Sequence, residues 1–206
     1  MKAIIVIGAP NEQDFKSGVT DRFTLRAAMI NKALRSYLGF ADDEVAFFAS
    51  DGAPASIAVE IKAFENYLIA HSSEDLCLFY VGHGWEDAWA LSGTRENALT
   101  YQQLGLFLVH HQANLIFVNY CCHAGAATEA LMYKLGEWLL LAAMPRDISG
   151  YAYKFCLHVL TAWIKRSFFD SHLAAGYEPY LPPIFGNENL QRLIFAKADK
   201  AREVVS

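Results

Sequence analysis

The feature that most constrains this chain is a repeated exchange between two hydrophobic periods. Continuous apolar runs, too short to be helices, alternate with longer stretches whose apolar residues recur at helical spacing. The runs are Lys2–Ala9 (KAIIVIGA), Glu44–Ala49 (EVAFFA), Asp75–Val81 (DLCLFYV), Asn114–Cys121 (NLIFVNYC) and Glu137–Ala143 (EWLLLAA). A run that is apolar at nearly every position suits a strand buried on both faces, as in a parallel sheet. Between the runs, Asp21–Leu38 places Phe23, Ala27, Ile30, Leu34 and Leu38 on one helical face and stops at Gly39. Ala55–Ala70 does the same with Ile57, Ile61, Phe64 and Leu68. Thr100 is expected to cap a helix reaching His111. A long helix is expected within Ile148–Phe169, an extended Pro-rich segment over Tyr177–Gly186, and a closing helix over Asn187–Glu203 capped near Asn187 or Asn189. This alternation predicts an α/β fold: a three-layer sandwich on a mostly parallel six-stranded sheet, with helices on both faces and right-handed crossovers. No stretch reads as a linker, so residues 1–206 are expected to form a single domain.

Composition narrows the function classes. Hydrophobic residues make up 54% and charged residues 19%, which argues against disorder and for a large core. The net charge of −5 comes with no basic stripe, so no nucleic-acid partner is expected. The longest stretch without formal charge, Asn97–Thr128, is broken by Gln, His and Asn residues and cannot be a membrane span. The short apolar N-terminus runs at once into Asn11, Glu12 and Asp14, which fits a first strand better than a signal peptide. The four cysteines, Cys77, Cys121, Cys122 and Cys156, have neither disulfide-framework nor zinc-pair spacing. The expected setting is reducing and cytoplasmic, with no metal and no cofactor.

Two strand ends carry the chemistry. The third run ends in Val81-Gly82-His83-Gly84, and the fourth in Cys121-Cys122-His123-Ala124-Gly125. Ligands and catalytic groups collect at the carboxyl ends of parallel strands. If the two strands pair, about 4.8 Å apart, His83 and Cys122 face one cleft. A thiolate is a good nucleophile, and an imidazole beside it can take the thiol proton and later protonate a leaving amine. The amides of Gly84 and Cys122 are candidates for binding a tetrahedral oxyanion.

These motifs resemble those of the caspase/metacaspase-like cysteine peptidases. In that family an apolar strand ends in [S/G]-H-G, and a later one ends in the nucleophile, set in D-x-C-H-S-G in metacaspase-like members. Here C-H-A-G spans Cys122–Gly125, so Cys122 rather than Cys121 matches the nucleophile. The likeness extends over nearly the whole chain. KAIIVIGAP looks like the family's first strand and GVTDRFTLRAAMINKALRSYLGF like its first helix. WLLLAAMP with SGYAYKFCLHVLTAWIK looks like the strand and helix of the small-subunit portion, and PYLPPIFGNENLQRLIF like its last strand region.

The resemblance implies a caspase-like fold and a thiol endopeptidase acting on protein or peptide substrates. His83 would be general acid/base, Cys122 nucleophile, and Gly84 with Cys122 the oxyanion hole. The chain also departs from the family. Tyr120 stands where the family has an Asp that helps bind a basic P1 side chain. Asp21 matches a second acidic residue of that pocket, while Arg22 and Arg146 lie in regions from which caspases bind a P1 aspartate. The P1 preference therefore stays open, with a lean to basic through Asp21. The short Ala126–Gly136 segment implies a single-chain enzyme. The absence of a recruitment domain suggests an activating protein partner that orders residues 84–99 and 144–150.

Other readings stand beside these. Cys121 is expected to face inward, and Cys77 and Cys156 to be core. His123 fits a loop histidine with a local hydrogen bond, and His110-His111 a favourable charge at a helix C-terminus. Asp21 would also serve as a helix N-cap. Trp85 and Trp89 either line a substrate groove or pack their loop down. An inactive caspase-like scaffold and a small-amide hydrolase are the competing functions.

Overall fold

A computed structural model describes residues 1–8, 20–49, 54–91, 95–149, 154–174 and 180–205. The five apolar runs become strands β1 (Lys2–Ile7), β2 (Val45–Ala49), β3 (Leu76–Val81), β7 (Leu115–Tyr120) and β8 (Trp138–Ala142). A sixth strand, β9 (Ile184–Gly186), closes a sheet of order β2-β1-β3-β7-β8-β9. Every neighbouring pair is parallel except β8 with β9. Every residue of the central strands β3 and β7 is buried, which is why their sequences show no alternation.

Helices α1 (Thr20–Tyr37), α2 (Pro54–Ala70), α3 (Tyr101–Leu108), α4 (Thr128–Leu131), α5 (Phe155–Ile164) and α6 (Gln191–Val205) join the strands. Successive strand side chains point to opposite faces. Phe79 meets Trp163 of α5 on one face, at 6.1 Å between ring centroids. Tyr80, the next residue, stacks on Trp89, which itself packs against Phe64 of α2 on the other. The sheet is therefore covered by helices on both sides. No helix of the described residues is long and apolar enough to cross a membrane.

Three features depart from the sequence expectations. Residues after β3 are not simply a loop. They form a small antiparallel sheet of β4 (His83–Gly84), β5 (Ala88–Ala90) and β6 (Leu99–Thr100), turned by Glu86-Asp87 with Trp85 N–H donating to the Ala88 carbonyl at 2.8 Å. The long helix expected within Ile148–Phe169 is only the ten residues of α5. Ile148 lies in a turn, its N–H donating to the Pro145 carbonyl, and α5 stops where Arg166 takes a left-handed φ of 61°. There Ser167 N–H reaches the Ala162 carbonyl and Arg166 N–H the Trp163 carbonyl, a Schellman ending made without glycine. The helix capped by Thr100 ends at Leu108 rather than His111. The Thr100 cap itself is present, its hydroxyl accepting from Gln103 N–H at 3.1 Å. Asn187 likewise caps the 3-10 turn that opens the closing helix.

Candidate active site

Strands β3 and β7 run side by side with Val81 opposite Tyr120, so they end level. Gly82 N–H then donates to the Tyr120 carbonyl at 3.2 Å, carrying the pairing one residue further. At that point the two chains turn off as His83-Gly84 and Cys121-Cys122. The contact between them is intimate. A Cβ on Gly84 would lie 2.2 Å from the Cys122 carbonyl oxygen and 2.7 Å from Cys121 Sγ. Only glycine lets the backbones come this close. Trp85 and Ala88 form a hydrogen-bonded pair of the hairpin, so Gly84 opposite Trp89 occupies the non-hydrogen-bonded kind. The Gly84 N–H is thereby turned away from β5, as an anion-binding amide would need to be.

The two adjacent cysteines occupy different environments. Cys121 is buried, its Sγ donating to Asn119 Oδ1 at 3.4 Å and lying 3.8 Å from Tyr101 Oη. Burial drives its thiol far above the ordinary range. Cys122 is partly exposed. His83 is half-buried, and the Phe23 ring of α1 meets it edge-on at 5.1 Å and 89°. The residue after Cys122 is strained: His123 has φ 54°, its N–H donates to the Ile148 carbonyl, and its Nδ1 lies 2.9 Å from the Arg146 carbonyl. Strain of this kind, costing about 1–3 kcal/mol, persists only where surroundings enforce it.

The expected specificity residues are dispersed in role. Tyr120 is 6% exposed, with its ring parallel to Phe155 at 6.4 Å. The Arg146 backbone lies beside the Cys122 loop, but its guanidinium is ion-paired with Glu129 of α4. Asp21 is the second residue of α1, and its side chain and that of Arg22 lie outside the described residues. Phe23, two positions on, brings the start of α1 against His83.

Trp89 does not line a groove. It is fully buried and its Nε1 donates to Asn119 Oδ1 at 3.1 Å. Trp85 is half-buried, and its Nε1 has no partner among the described residues. Asn119, which the sequence reading passed over, has all four amide sites used. Oδ1 accepts from Trp89 and Cys121, while Nδ2 donates to the Ala124 carbonyl at 2.9 Å and to Tyr101 Oη at 3.3 Å. A lone amide inside an apolar strand is the signal that could have found it, because such a group must be satisfied. Among the described residues no group of three or more His, Cys, Asp or Glu side chains could hold a metal ion. No protein-family model matches the sequence and no curated protein matches it.

Proposed function

We propose that the protein is a caspase-like cysteine endopeptidase in which Cys122 and His83 cleave peptide bonds through a thioester. The observation that carries this reading is the level ending of β3 and β7, with the Gly84 backbone against Cys121 and Cys122. In the first step the Cys122 thiol proton passes to His83 and Sγ bonds to the scissile carbonyl carbon. The tetrahedral oxyanion that forms accepts hydrogen bonds from the Gly84 and Cys122 N–H groups. His83 then protonates the leaving amine as the C–N bond breaks. Water, deprotonated by His83, hydrolyses the thioester and releases the acid. The caspase-like arrangement of layers belongs to the same proposal, supported by the mostly parallel six-stranded sheet. The preference before the scissile bond stays open in this proposal, with a lean to a basic side chain through Asp21 at the start of α1.

The test is cleavage of a peptide library by the wild type and by Cys122→Ala. Cleavage is expected to vanish in the variant, while Cys121→Ala retains much of it. Equal activity of Cys122→Ala would overturn the assignment. A second reading, an inactive scaffold on the same fold, draws on the packed Tyr120 and the Glu129-paired Arg146. It predicts that iodoacetamide labels Cys122 no faster than a free model thiol.

A further inference from the structure

We infer that Tyr80, Trp89 and Asn119 form one buried relay that sets the His83 loop and the Cys122 loop in register, Tyr80 and Asn119 acting as positioning residues. The inference rests on the Cys122–His83 reading above.

The relay can be followed atom by atom. Tyr80 Oη donates to the His83 carbonyl at 2.7 Å and lies 3.3 Å from the Ala90 carbonyl. The Tyr80 ring stacks on the Trp89 indole at 4.3 Å and 6°. Trp89 Nε1 donates to Asn119 Oδ1 at 3.1 Å, and Asn119 Nδ2 donates to the Ala124 carbonyl at 2.9 Å. The path thus begins on the backbone of the proposed base and ends on the backbone two residues past the proposed nucleophile. All three side chains are fully buried.

Burial makes the relay stiff. A phenol, an indole N–H and an amide in a dry core must each keep a partner, and losing one leaves its partner unsatisfied as well. Burial also pushes the Tyr80 hydroxyl well above its ordinary value, so it stays protonated and remains a donor. The small sheet that carries His83 is separate from the main sheet, whose strand β7 ends two residues before Cys122. A hydrophobic core would fill this space equally well. What the hydrogen bonds add is a second tie between the two loops, past the point where the β3–β7 ladder ends.

The test follows the rate of Cys122 alkylation by iodoacetamide against pH in the full chain, with Cys122→Ala as the blank for the other thiols. The variants are His83→Ala, Tyr80→Phe, which keeps the stacked ring, and Trp89→Phe, which keeps an aromatic ring without the N–H. Circular dichroism and a thermal melt confirm the fold of each. His83→Ala is expected to move the profile to that of an ordinary thiol. Tyr80→Phe and Trp89→Phe are each expected to slow alkylation at neutral pH by roughly threefold to tenfold, the effect of one lost hydrogen bond. The double variant is expected to be no slower than the worse single one, because both break the same relay. If His83→Ala moves the profile and neither aromatic variant does, the relay is wrong while the Cys122–His83 pair stands. If His83→Ala leaves the profile unchanged, the pair itself is wrong and the relay falls with it.

Discussion

Gly84 concentrates the consequences of the site into one missing methyl group. An alanine there would drive its Cβ to 2.2 Å from the Cys122 carbonyl oxygen, and that neighbour is backbone, so a main chain must move. Displacement of about 1 Å at a reacting group is enough to cost 10²-fold in rate. Gly84→Ala is therefore expected to lower kcat/KM on a cleaved peptide by at least that factor, while circular dichroism stays unchanged. A variant as active as the wild type would remove Gly84 from the site. Cys121 and Cys122 make the complementary point. Neighbours in sequence, one thiol is enclosed by Asn119 and Tyr101 while the other meets solvent. Of the two thiols, Cys122 is the one that a substrate could reach, as the proposed reading requires.

At the scale of elements, α5 ends without a stop residue, at a position held by one local and one tertiary side-chain bond. Arg166 occupies the left-handed position that glycine ordinarily fills, and it is held there by Nε donating to Asp199 and Nη1 to the Trp163 carbonyl. Arg166→Ala keeps the strained φ and loses the bonds, whereas Arg166→Gly loses the bonds but relieves the strain. Unfolding free energies from urea titration should place the glycine variant above the alanine variant by about 1 kcal/mol. With no glycine at the stop, the sequence carries no local mark of where α5 ends. Strands β1, β2, β3, β7 and β8 were legible because burial on both faces writes itself as an unbroken apolar run. Strands β4, β5 and β6 were not, since two or three residues carry no period. The site divides in the same way. His83 and Cys122 stand out in the sequence as reactive types beside glycines at strand ends. Asn119, Tyr80 and Trp89 acquire their roles only from partners 2 to 30 residues away, brought together by the fold.

The whole molecule separates the proposed His83–Cys122 pair from a second polar cluster. His83 and Cys122 follow the carboxyl ends of strands, whereas Lys134, Asp75 and His111 gather at the amino ends. Lys134 is buried, and its Nζ donates to the Ala113 carbonyl just before β7. Burial pulls its ammonium down to about 8 against a weaker opposing pull from Asp75. Below that pH the amine is charged both folded and unfolded, and the burial penalty is felt in full. Between about 8 and the ordinary value of 10.5 the unfolded chain binds the extra proton, so this group's contribution to stability rises with pH. Urea unfolding should show the wild type gaining on Lys134→Met across that window, while peptide cleavage by the two proteins stays equal at neutral pH. A gap that is constant with pH would contradict the burial argument, and a loss of cleavage would contradict the separation. At the opposite pole, Tyr80 has left its mark on two neighbours. Its hydroxyl would sit 2.6 Å from a Cβ on Gly8 and 2.5 Å from one on Gly82, and each Cβ would also press on the other glycine's Cα, at 3.3 and 3.0 Å. For Gly8 the oxygen is the worst obstacle, the next being the Ala90 carbonyl at 3.0 Å. The order of substitutions thus becomes path-dependent: a lineage can accept a methyl at residue 8 far more readily after phenylalanine has replaced the tyrosine than before.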